Sequence, residues 1–411
     1  MSYAAPKLPD FEYDPFTTEV MGNPHPYYKR LRDDFPVYYI EQYDGFAFSR
    51  FADVYEAYQH DDCFHTIEGV VVSREEISVP RLKVVPEWSQ NPLPLFANVQ
   101  APAYEEIRQA AGKLLRPRPI LNLEEDVRTR TKALLETLLE GGPFDFVLDF
   151  AGIVAAGSAC NICGIPLELA PEVLKAVNYT TQQDPVTGGF SPDFRNRREV
   201  LKDIIKDVIR QRRKVQNRDS GSPVDGLIDY RLNGRALTDD EIATLVSSIV
   251  VGASETIPKV LAHGMMELER SPEQKRAILQ DLRANAAVAV EEMVRFCGPA
   301  QWFMRTVKTP VTIAGQKLEV GHRVFLLVQS ANRDEREFER ADEFIWDRRP
   351  ARHLGFGHGQ HFCIGTHLAR MEGRVMLQEV LSRVPEYSIV DAKRTPSSFQ
   401  WGFHSAIFVA G

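Results

Sequence analysis

The spacing of apolar positions divides the chain into a long helical middle and two shorter strand-rich regions. Between residues 103 and 296, apolar side chains recur at the three- and four-residue spacing of helices with one buried face. Residues 37–48 and the segment after Met304 carry short strand-like runs, whereas residues 66–102 look irregular. Because no repeat or flexible linker stands out, the pattern predicts one domain over residues 1–411, mostly α with small β-sheets.

The best delimited helix lies in the second half of the chain. Thr238 and Glu241 form a capping-box pattern, and apolar-rich sequence then continues to Ser271 and Pro272. At about 1.5 Å per residue this helix is roughly 50 Å long, enough to cross a whole domain.

Pro258 interrupts the hydrogen bonding inside this long helix. Its ring removes the donor that would pair with the carbonyl of Ser254, beside Glu255 and Thr256. A tolerated kink explains an isolated proline. Together with Gly252 and the adjacent acid and alcohol, the segment also fits an opened turn beside a ligand.

A second predicted helix, residues 285–296, ends before Gly298 and Pro299. It carries Glu292 and Arg295 three positions apart, close enough to pair on one face. Taken alone, such a pair is usually an exposed ion pair that contributes little to stability.

Composition narrows the class of protein. With 49 basic and 57 acidic residues, the net charge of −8 indicates no general attraction to nucleic acid or anionic lipid. The polar, proline-containing start lacks the layout of a signal peptide, and residues 150–167 fit a buried helix better than a membrane span. Five cysteines suit a reducing compartment, so we expect a cytoplasmic protein without a membrane anchor, with Cys160 and Cys163 packed in the core.

The stretch LGFGHGQHFCIG around Cys363 carries the most distinctive chemistry, and three interpretations compete. His358, His361, Cys363 and His367 could ligate zinc, although their spacing is awkward for a tetrahedral site. Cys363 could be a nucleophile activated by a histidine at a helix N-terminus. As the thiolate ligand of a haem iron, it would account for Phe356 and the glycines, which let the backbone pass flat against a porphyrin.

With these residues in view, the chain resembles a bacterial cytochrome P450 over essentially its full length. The family pattern Phe-Gly-x-Gly-x-His/Arg-x-Cys-x-Gly is matched by Phe356, Gly357, Gly359, His361, Cys363 and Gly365. The resemblance implies the cytochrome P450 fold, with haem b held between the long central helix and the cysteine loop. It also implies that Cys363 is the axial iron ligand.

The resemblance gives the remaining fragments expected roles. Glu292 and Arg295 match the family's buried Glu-x-x-Arg, completed by Arg348 into a network that locks the haem-side core. The residues expected to bind the haem propionates are Tyr104, Arg108, Arg305, His353 and His361. Tyr104 stands where the family usually has histidine, so its hydroxyl offers one hydrogen bond but no charge.

The segment Gly252-Ala253-Ser254-Glu255-Thr256 resembles the family's oxygen-activating helix, with Ala253 in the second small position. The resemblance implies that Thr256 orients dioxygen, the co-substrate, and that Glu255 supplies protons. Cys363 donates electron density that favours O–O cleavage.

The implied reaction is insertion of one oxygen atom into a small hydrophobic substrate, by hydroxylation or O-dealkylation. Alternating aromatics near the C-terminus suggest an aromatic ligand but equally fit strand packing. Besides residues 67–72, the expected pocket residues are Val251, Gly252, Ala300, Trp302, Phe303, Phe399, Trp401 and Phe403.

Electrons are expected from NAD(P)H through a separate ferredoxin, or a flavodoxin, with its reductase. The candidate docking residues are Lys113, Arg116, Arg118, Arg370 and Arg374, which equally fit an ordinary solvated set of charges. We expect a monomer. The alternative functions are a peroxide-driven haem-thiolate enzyme and a haem-based sensor without turnover, and the acid and alcohol of the long helix argue against both.

Overall fold

The computed structural model describes residues 11–88, 90–178, 182–184, 186–218 and 221–411. Residues 1–10, on which part of the expectation about a signal peptide rests, lie outside the described residues. The α-helices are α1 Thr18–Gly22, α2 His25–Asp34, α3 Phe51–Gln59, α4 Arg74–Ile77, α5 Ala103–Ala111, α6 Pro117–Gly141, α7 Gly152–Cys163, α8 Ala170–Val177, α9 Phe194–Arg213, α10 Pro223–Asp229, α11 Asp239–Arg270, α12 Pro272–Gln280, α13 Leu282–Cys297, α14 Val328–Ala331 and α15 Thr366–Arg383.

The strands form small sheets beside the helical part. They are β1 Val37–Ile40, β2 Gly45–Phe48, β3 Phe64–His65, β4 Phe144–Asp145, β5 Arg231–Leu232, β6 Arg235–Ala236, β7 Phe303–Val307, β8 Val311–Ile313, β9 Gln316–Leu318, β10 Arg323–Leu326, β11 Tyr387–Arg394 and β12 Phe403–Ala410. Five of them form the sheet β1-β2-β10-β7-β3, in which β2 and β10 run parallel. The sheet β11-β12-β4 joins the C-terminal hairpin to the segment before α7.

The long helix α11 is the centre of the helical part. Its capping box is formed as predicted, because the Thr238 side chain accepts from the Glu241 amide and the Glu241 carboxylate accepts from the Thr238 amide. Of its 32 residues, 20 are buried, and the helix continues without interruption through Pro258. It packs against α7, α9 and α13, so most of its surface lies in the core.

Helix α13 starts three residues earlier than the apolar pattern predicts. The side chain of Asp281 accepts a hydrogen bond from the Ala284 amide and caps the helix there, so α13 begins at Leu282. Its end at Cys297, before Gly298, agrees with the prediction. A capping aspartate lies outside the apolar period and was therefore overlooked.

Two apolar helical stretches, Phe146–Cys163 and Asp239–Arg270, are long and apolar enough to cross a membrane by length and composition alone. However, 78% and 72% of their most apolar windows are buried inside the protein. Core helices of a folded domain pass the same test, so the first stretch is a buried helix, as its interrupted sequence indicates.

Candidate active site

The loop that carries Cys363 depends on glycines at two positions. Gly357 and Gly359 adopt φ angles of +70° and +71°, a region that residues with a side chain rarely enter. A Cβ on Gly359 would lie 2.5 Å from Asp61 Oδ2, so the backbone approaches α3 more closely than any side chain permits. The Cys363 amide then donates to the Phe356 carbonyl at 2.9 Å and closes the loop three residues before α15.

The Cys363 side chain is half-buried at the end of this loop. Burial raises the pKa of its thiol, whereas the Gly365 amide, which donates to the sulfur, and the guanidinium groups of Arg108 and Arg370 lower it. Hydrogen bonds and positive charge directed at the sulfur stabilise the thiolate. The chemistry of this position therefore fits a thiolate ligand.

Four of the five residues predicted to bind the propionates form a cationic cluster. Arg108 Nη1 donates to the Tyr104 hydroxyl at 3.0 Å, and the Tyr104 ring lies 4.3 Å from the His361 ring. Burial, followed by the charges of Arg305 and Arg108, lowers the pKa of His361 to about 3. Tyr104 and Arg305 are buried and Arg108 and His361 are half-buried. Donors with this excess of positive charge fit the two carboxylates of a porphyrin.

His353 has a different environment. Its Nε2 lies 3.2 Å from Glu291 Oε2, and its Nδ1 accepts from the Gly355 amide. Glu291 also accepts from Arg370 Nη2 at 3.0 Å. The structure therefore places His353 in a network with α13 and α15, and sequence reasoning missed Glu291 because nothing in its local pattern distinguishes it.

Glu292, Arg295 and Arg348 are brought together as the resemblance implied. Both Glu292 and Arg295 are completely buried, and Arg295 Nε and Nη2 donate to the two carboxylate oxygens at 2.7 Å. Arg348 Nε donates to Glu292 Oε1 at 3.1 Å. Arg295 also donates to the carbonyls of Asn332 and Ala341, so the pair ties α13 to the segment before the cysteine loop.

One face of α11 is uncovered in the middle of this otherwise buried helix. Val251, Ala253 and Thr256 are half-buried, and Gly252 is exposed. A Cβ built on Gly252 would have no neighbour within 4 Å, so space is open beside the helix. The Thr256 hydroxyl donates to the Gly252 carbonyl at 3.1 Å and lies on this face.

Glu255 points to a different environment from that of Thr256. Its Oε1 accepts from Lys259 Nζ at 2.7 Å, and its Oε2 accepts from Gln400 Nε2 at 3.0 Å. Both members of the ion pair are at most 3% exposed, and burial lowers the pKa of Lys259. The partner Lys259 could have been found from the sequence, because it follows Glu255 by four positions on one helix, but Gln400 has no such signal.

The aromatic residues predicted for the pocket separate into two groups. Phe303 and Phe399 are half-buried with ring centroids 5.5 Å apart, and Ala300 is also half-buried. Trp302 is completely buried, and its indole donates to the Ser398 carbonyl at 2.8 Å. The first group can contact a ligand, whereas Trp302 fixes the C-terminal segment against the five-stranded sheet.

Trp401 and Phe403 also lie in packed surroundings. The Arg394 guanidinium stacks over both rings, 3.5 Å from the centroid of Trp401 and 4.5 Å from that of Phe403. Trp401 contacts His25 of α2, and Phe403 contacts His263 of α11. Their side chains therefore join the C-terminal hairpin to two helices.

A groove of about 570 Å³ lies beside α15, the helix that follows Cys363. Arg349, Arg370 and Arg374 line it together with apolar residues that include the exposed Leu121. Arg374 is paired with Glu124 at 2.6 Å, so part of the positive charge is balanced within the protein. The groove combines cationic and apolar surface at one site.

The zinc interpretation finds no support in the described residues. His361 packs on Tyr104 and His358 on Tyr55, both with centroids 4.3 Å apart, so the proposed ligands face different neighbours. Cys160 and Cys163 are buried in α7, and burial raises the pKa of both thiols. This agrees with the expected role of the two cysteines in core packing.

Comparison with known proteins connects this geometry to a family. The family model for cytochrome P450 matches residues 172–385. The chain is 29% identical over 398 residues to cytochrome P450 130 of Mycobacterium tuberculosis, covering 93% of each protein. It is 28% identical over 352 residues to a methyl-branched lipid omega-hydroxylase of Mycobacterium bovis, covering 83% of this chain and 78% of that protein.

Solved structures show the same fold. A Mycobacterium marinum cytochrome P450 in complex with pseudoionone matches with a TM-score of 0.84 and 22% identity, covering 98% of this chain and 100% of that one. A cytochrome P450 from Chondromyces apiculatus matches with a TM-score of 0.81 and 24% identity over 97% and 98% of the two chains. These likenesses confirm the predicted fold class.

Proposed function

The chain belongs to the cytochrome P450 family of haem-thiolate monooxygenases, and from this premise we propose that it inserts one atom of O2 into a small hydrophobic substrate by hydroxylation or O-dealkylation. The observation that carries the proposal is the uncovered middle of α11, where Gly252 and Thr256 border open space. We further propose that residues 1–411 act as a single cytoplasmic domain and as a monomer.

When bound, the haem supplies the redox chemistry that activates dioxygen. Cys363 would hold its iron as a thiolate, and the turns at Gly357, Gly359 and Gly365 would let the backbone come close to the haem. The Arg370 guanidinium lies over the Phe356 ring, 4.8 Å from its centroid. Val251, Ala253, Phe356 and Ile364 are apolar side chains at the border of the helical core, which offers an apolar surface to a porphyrin.

Tyr104, Arg108, Arg305 and His361 hold the propionates in this proposal. Their cluster has an excess of positive charge, which two carboxylates balance. His353 can contribute only after release from Glu291, with which its imidazole is now paired at 3.2 Å.

Thr256 and Glu255 have separate roles in proton transfer in this proposal. The Thr256 hydroxyl donates to the Gly252 carbonyl and can rotate to hold a proton donor at the open face of the helix. Glu255 holds negative charge behind that face, beside Lys259. Proton transfer between them therefore requires a water molecule or a rotation of the Glu255 side chain.

The half-buried aromatics indicate the class of substrate. The half-buried pair Phe303 and Phe399, together with the half-buried Val251 and Ala300, offers apolar surface, which favours a small hydrophobic molecule, aromatic compounds included. The relatives named above act on a methyl-branched lipid or bind pseudoionone, both largely apolar.

For electron supply we propose a small acidic ferredoxin with its NAD(P)H reductase. The groove beside α15 supports this partner, because the exposed Arg349 supplies positive charge next to the helix that starts after Cys363, while Arg370 and Arg374 line the groove in pairs with Glu291 and Glu124. Arg116 immediately precedes the adjacent helix α6, Arg118 lies in its first turn, and both side chains are exposed. Docking of an acidic partner there is weakened by added salt.

Substrate class and catalytic roles are tested with the haem-loaded protein. Small terpenoids, aromatic ethers and alkylbenzenes are screened for a shift of the haem spectrum from low to high spin, and the best ligand is turned over with a ferredoxin and its reductase. Thr256→Ala is expected to retain haem but to divert electrons into hydrogen peroxide. Thr244→Ala, the same change three turns earlier in α11, is the matched control and stays coupled.

Equal product per NAD(P)H in Thr256→Ala and the native protein contradicts the role given to Thr256. Cys363→Ser tests the ligand assignment independently. An unchanged reduced carbon monoxide band in that variant contradicts thiolate ligation.

A further inference from the structure

A second cavity, of about 330 Å³, lies outside the candidate active site. It is open to solvent and is bordered by the start of α2, the C-terminal half of α11, the segment after α14 and the C-terminal hairpin. The polar side chains that line it are Asn23, His25, His263, Glu267, Arg333, Arg394 and Trp401. None of these residues has a role in the proposed reaction.

The cavity is surrounded by buried nitrogen atoms without partners among the described residues. They are Arg333 Nε, Arg394 Nη1, His25 Nε2, His263 Nδ1 and Trp401 Nε1. Trp401, His263 and Arg333 are only 4%, 5% and 8% exposed. Buried polar groups almost always have hydrogen-bond partners, and the unsatisfied N–H groups of the two arginines and the indole around one cavity indicate a ligand that accepts hydrogen bonds.

The charge of the side chains that line the cavity also favours an anion. Arg333 and Arg394 face one carboxylate, Glu267, which is shared with Arg270 at 2.9 Å. Asp342 is 3.8 Å from Arg333 Nη1 but about half exposed. Burial lowers the pKa of both Arg333 and Arg394 to about 10, and the two cations disfavour each other.

Aromatic rings hold the two guanidinium groups in place. Arg394 lies 3.5 Å from the Trp401 centroid, and Arg333 lies 3.8 Å from the Phe296 centroid. Arg333 Nη2 also donates to the Phe296 carbonyl at 3.1 Å, which fixes its orientation. Cations fixed by stacking lose little side-chain entropy when a ligand binds, so their N–H groups are preorganised.

We propose that this cavity binds a small oxyanion, a carboxylate or a phosphate, between Arg333 and Arg394. The indole of Trp401 and Nε2 of His25 supply the remaining hydrogen bonds. Glu267 limits the charge that the site accepts, because a carboxylate facing the cavity repels a multiply charged anion. The proposal does not depend on the identity of the oxidised substrate.

Binding there joins parts of the chain that are distant in sequence. His263 follows Thr256 by two helical turns of α11, whereas Arg394 and Trp401 belong to the C-terminal hairpin. A bound anion therefore fastens the C-terminal half of α11 to the hairpin and to α2. Since it binds the folded chain only, it stabilises the fold by mass action.

The test uses the haem-loaded full chain with sodium phosphate, acetate or benzoate, and with sodium chloride at equal ionic strength as reference. We expect a saturable rise of the thermal midpoint and a calorimetric binding isotherm with at least one oxyanion. Comparison of the phosphate and carboxylate arms identifies which group the site prefers. Arg394→Gln is expected to weaken binding at least about tenfold, since it removes a charge-assisted hydrogen bond.

Lys393→Gln is the matched control, because it removes the same charge from an exposed neighbour on β11 and should leave affinity unchanged. Trp401→Phe keeps the aromatic ring but removes one N–H group, and should weaken binding roughly fivefold even if Arg394→Gln does not fold. The proposal is wrong if chloride produces the same shift, if no anion saturates at millimolar concentration, or if Lys393→Gln loses as much affinity as Arg394→Gln.

Discussion

Breaking the ion pair between Glu255 and Lys259 should lower the stability of the fold strongly, because the pair is buried directly behind the proposed oxygen pocket. Lys259→Met replaces the ammonium group by an apolar side chain of similar length. It removes the cation that faces Glu255 Oε1 at 2.7 Å, while Gln400 continues to donate to Oε2. The carboxylate then remains in a site from which water is largely excluded.

The expected loss of stability follows from this burial. Breaking one side of a buried pair typically costs about 3–5 kcal/mol. The retained Gln400 hydrogen bond reduces the cost, so we expect a loss of about 2–4 kcal/mol at pH 7.5. Glu255→Gln combined with Lys259→Met removes both charges and should recover most of the loss, because no buried carboxylate remains.

Denaturant unfolding of the haem-loaded variants measures these differences. Lys275→Met is the matched control, since Lys275 is also buried but its partner Glu386 is 77% exposed and can be hydrated after the change. It should lose about 1 kcal/mol or less. Equal losses in Lys259→Met and Lys275→Met, or a double variant whose loss is the sum of the single losses, would refute the reasoning.

Three further predictions concern other parts of the structure. Burial raises the pKa of the Glu372 carboxyl from 4.5 to about 8, so the unfolded chain releases this proton at lower pH than the folded chain, and the free energy of unfolding falls as pH rises from 4.5 to 8. Glu372→Gln should therefore gain about 3 kcal/mol of stability at pH 7 and almost none at pH 4. Denaturant unfolding at both pH values checks this. Gly359→Ala forces a Cβ to within 2.5 Å of Asp61 at positive φ and should lower stability by about 2 kcal/mol or more, unlike Gly252→Ala, where space is open. Arg305→Gln should speed haem transfer to an acceptor protein roughly tenfold, and an unchanged rate would exclude a propionate contact.

Local signals predicted the parts of the fold that depend on neighbouring residues. The capping box at Thr238 fixes the start of α11, and the glycines around Cys363 report turns that only glycine adopts easily. The pair Glu292 and Arg295 was recognisable from spacing. Its burial could be predicted only from the resemblance, because burial depends on the carbonyls of Asn332 and Ala341, which come from another part of the chain.

Contacts between distant segments account for what the sequence did not predict. The sequence assigned His353 to a propionate and gave no sign of its neighbour Glu291 of α13, whose carboxylate lies 3.2 Å from the imidazole. Trp401 belongs to an alternating aromatic run that fits a pocket wall and a packed strand equally well. Only the fold brings Arg394 over its ring and separates it from Phe399.

The arrangement of α11 explains why acid and alcohol are adjacent in sequence yet separate in space. Successive residues of a helix differ by about 100° in direction, so Thr256 lies on the open face while Glu255 faces Lys259 and Gln400. A carboxylate on the open face would meet an apolar substrate and lose hydration without gaining a partner. Behind the face it pairs with a cation, and in the proposed reaction the Thr256 hydroxyl is the polar group that meets the ligand. The buried lysine thus permits the proposed proton source close to an apolar pocket, because it pairs with the carboxylate without exposing it.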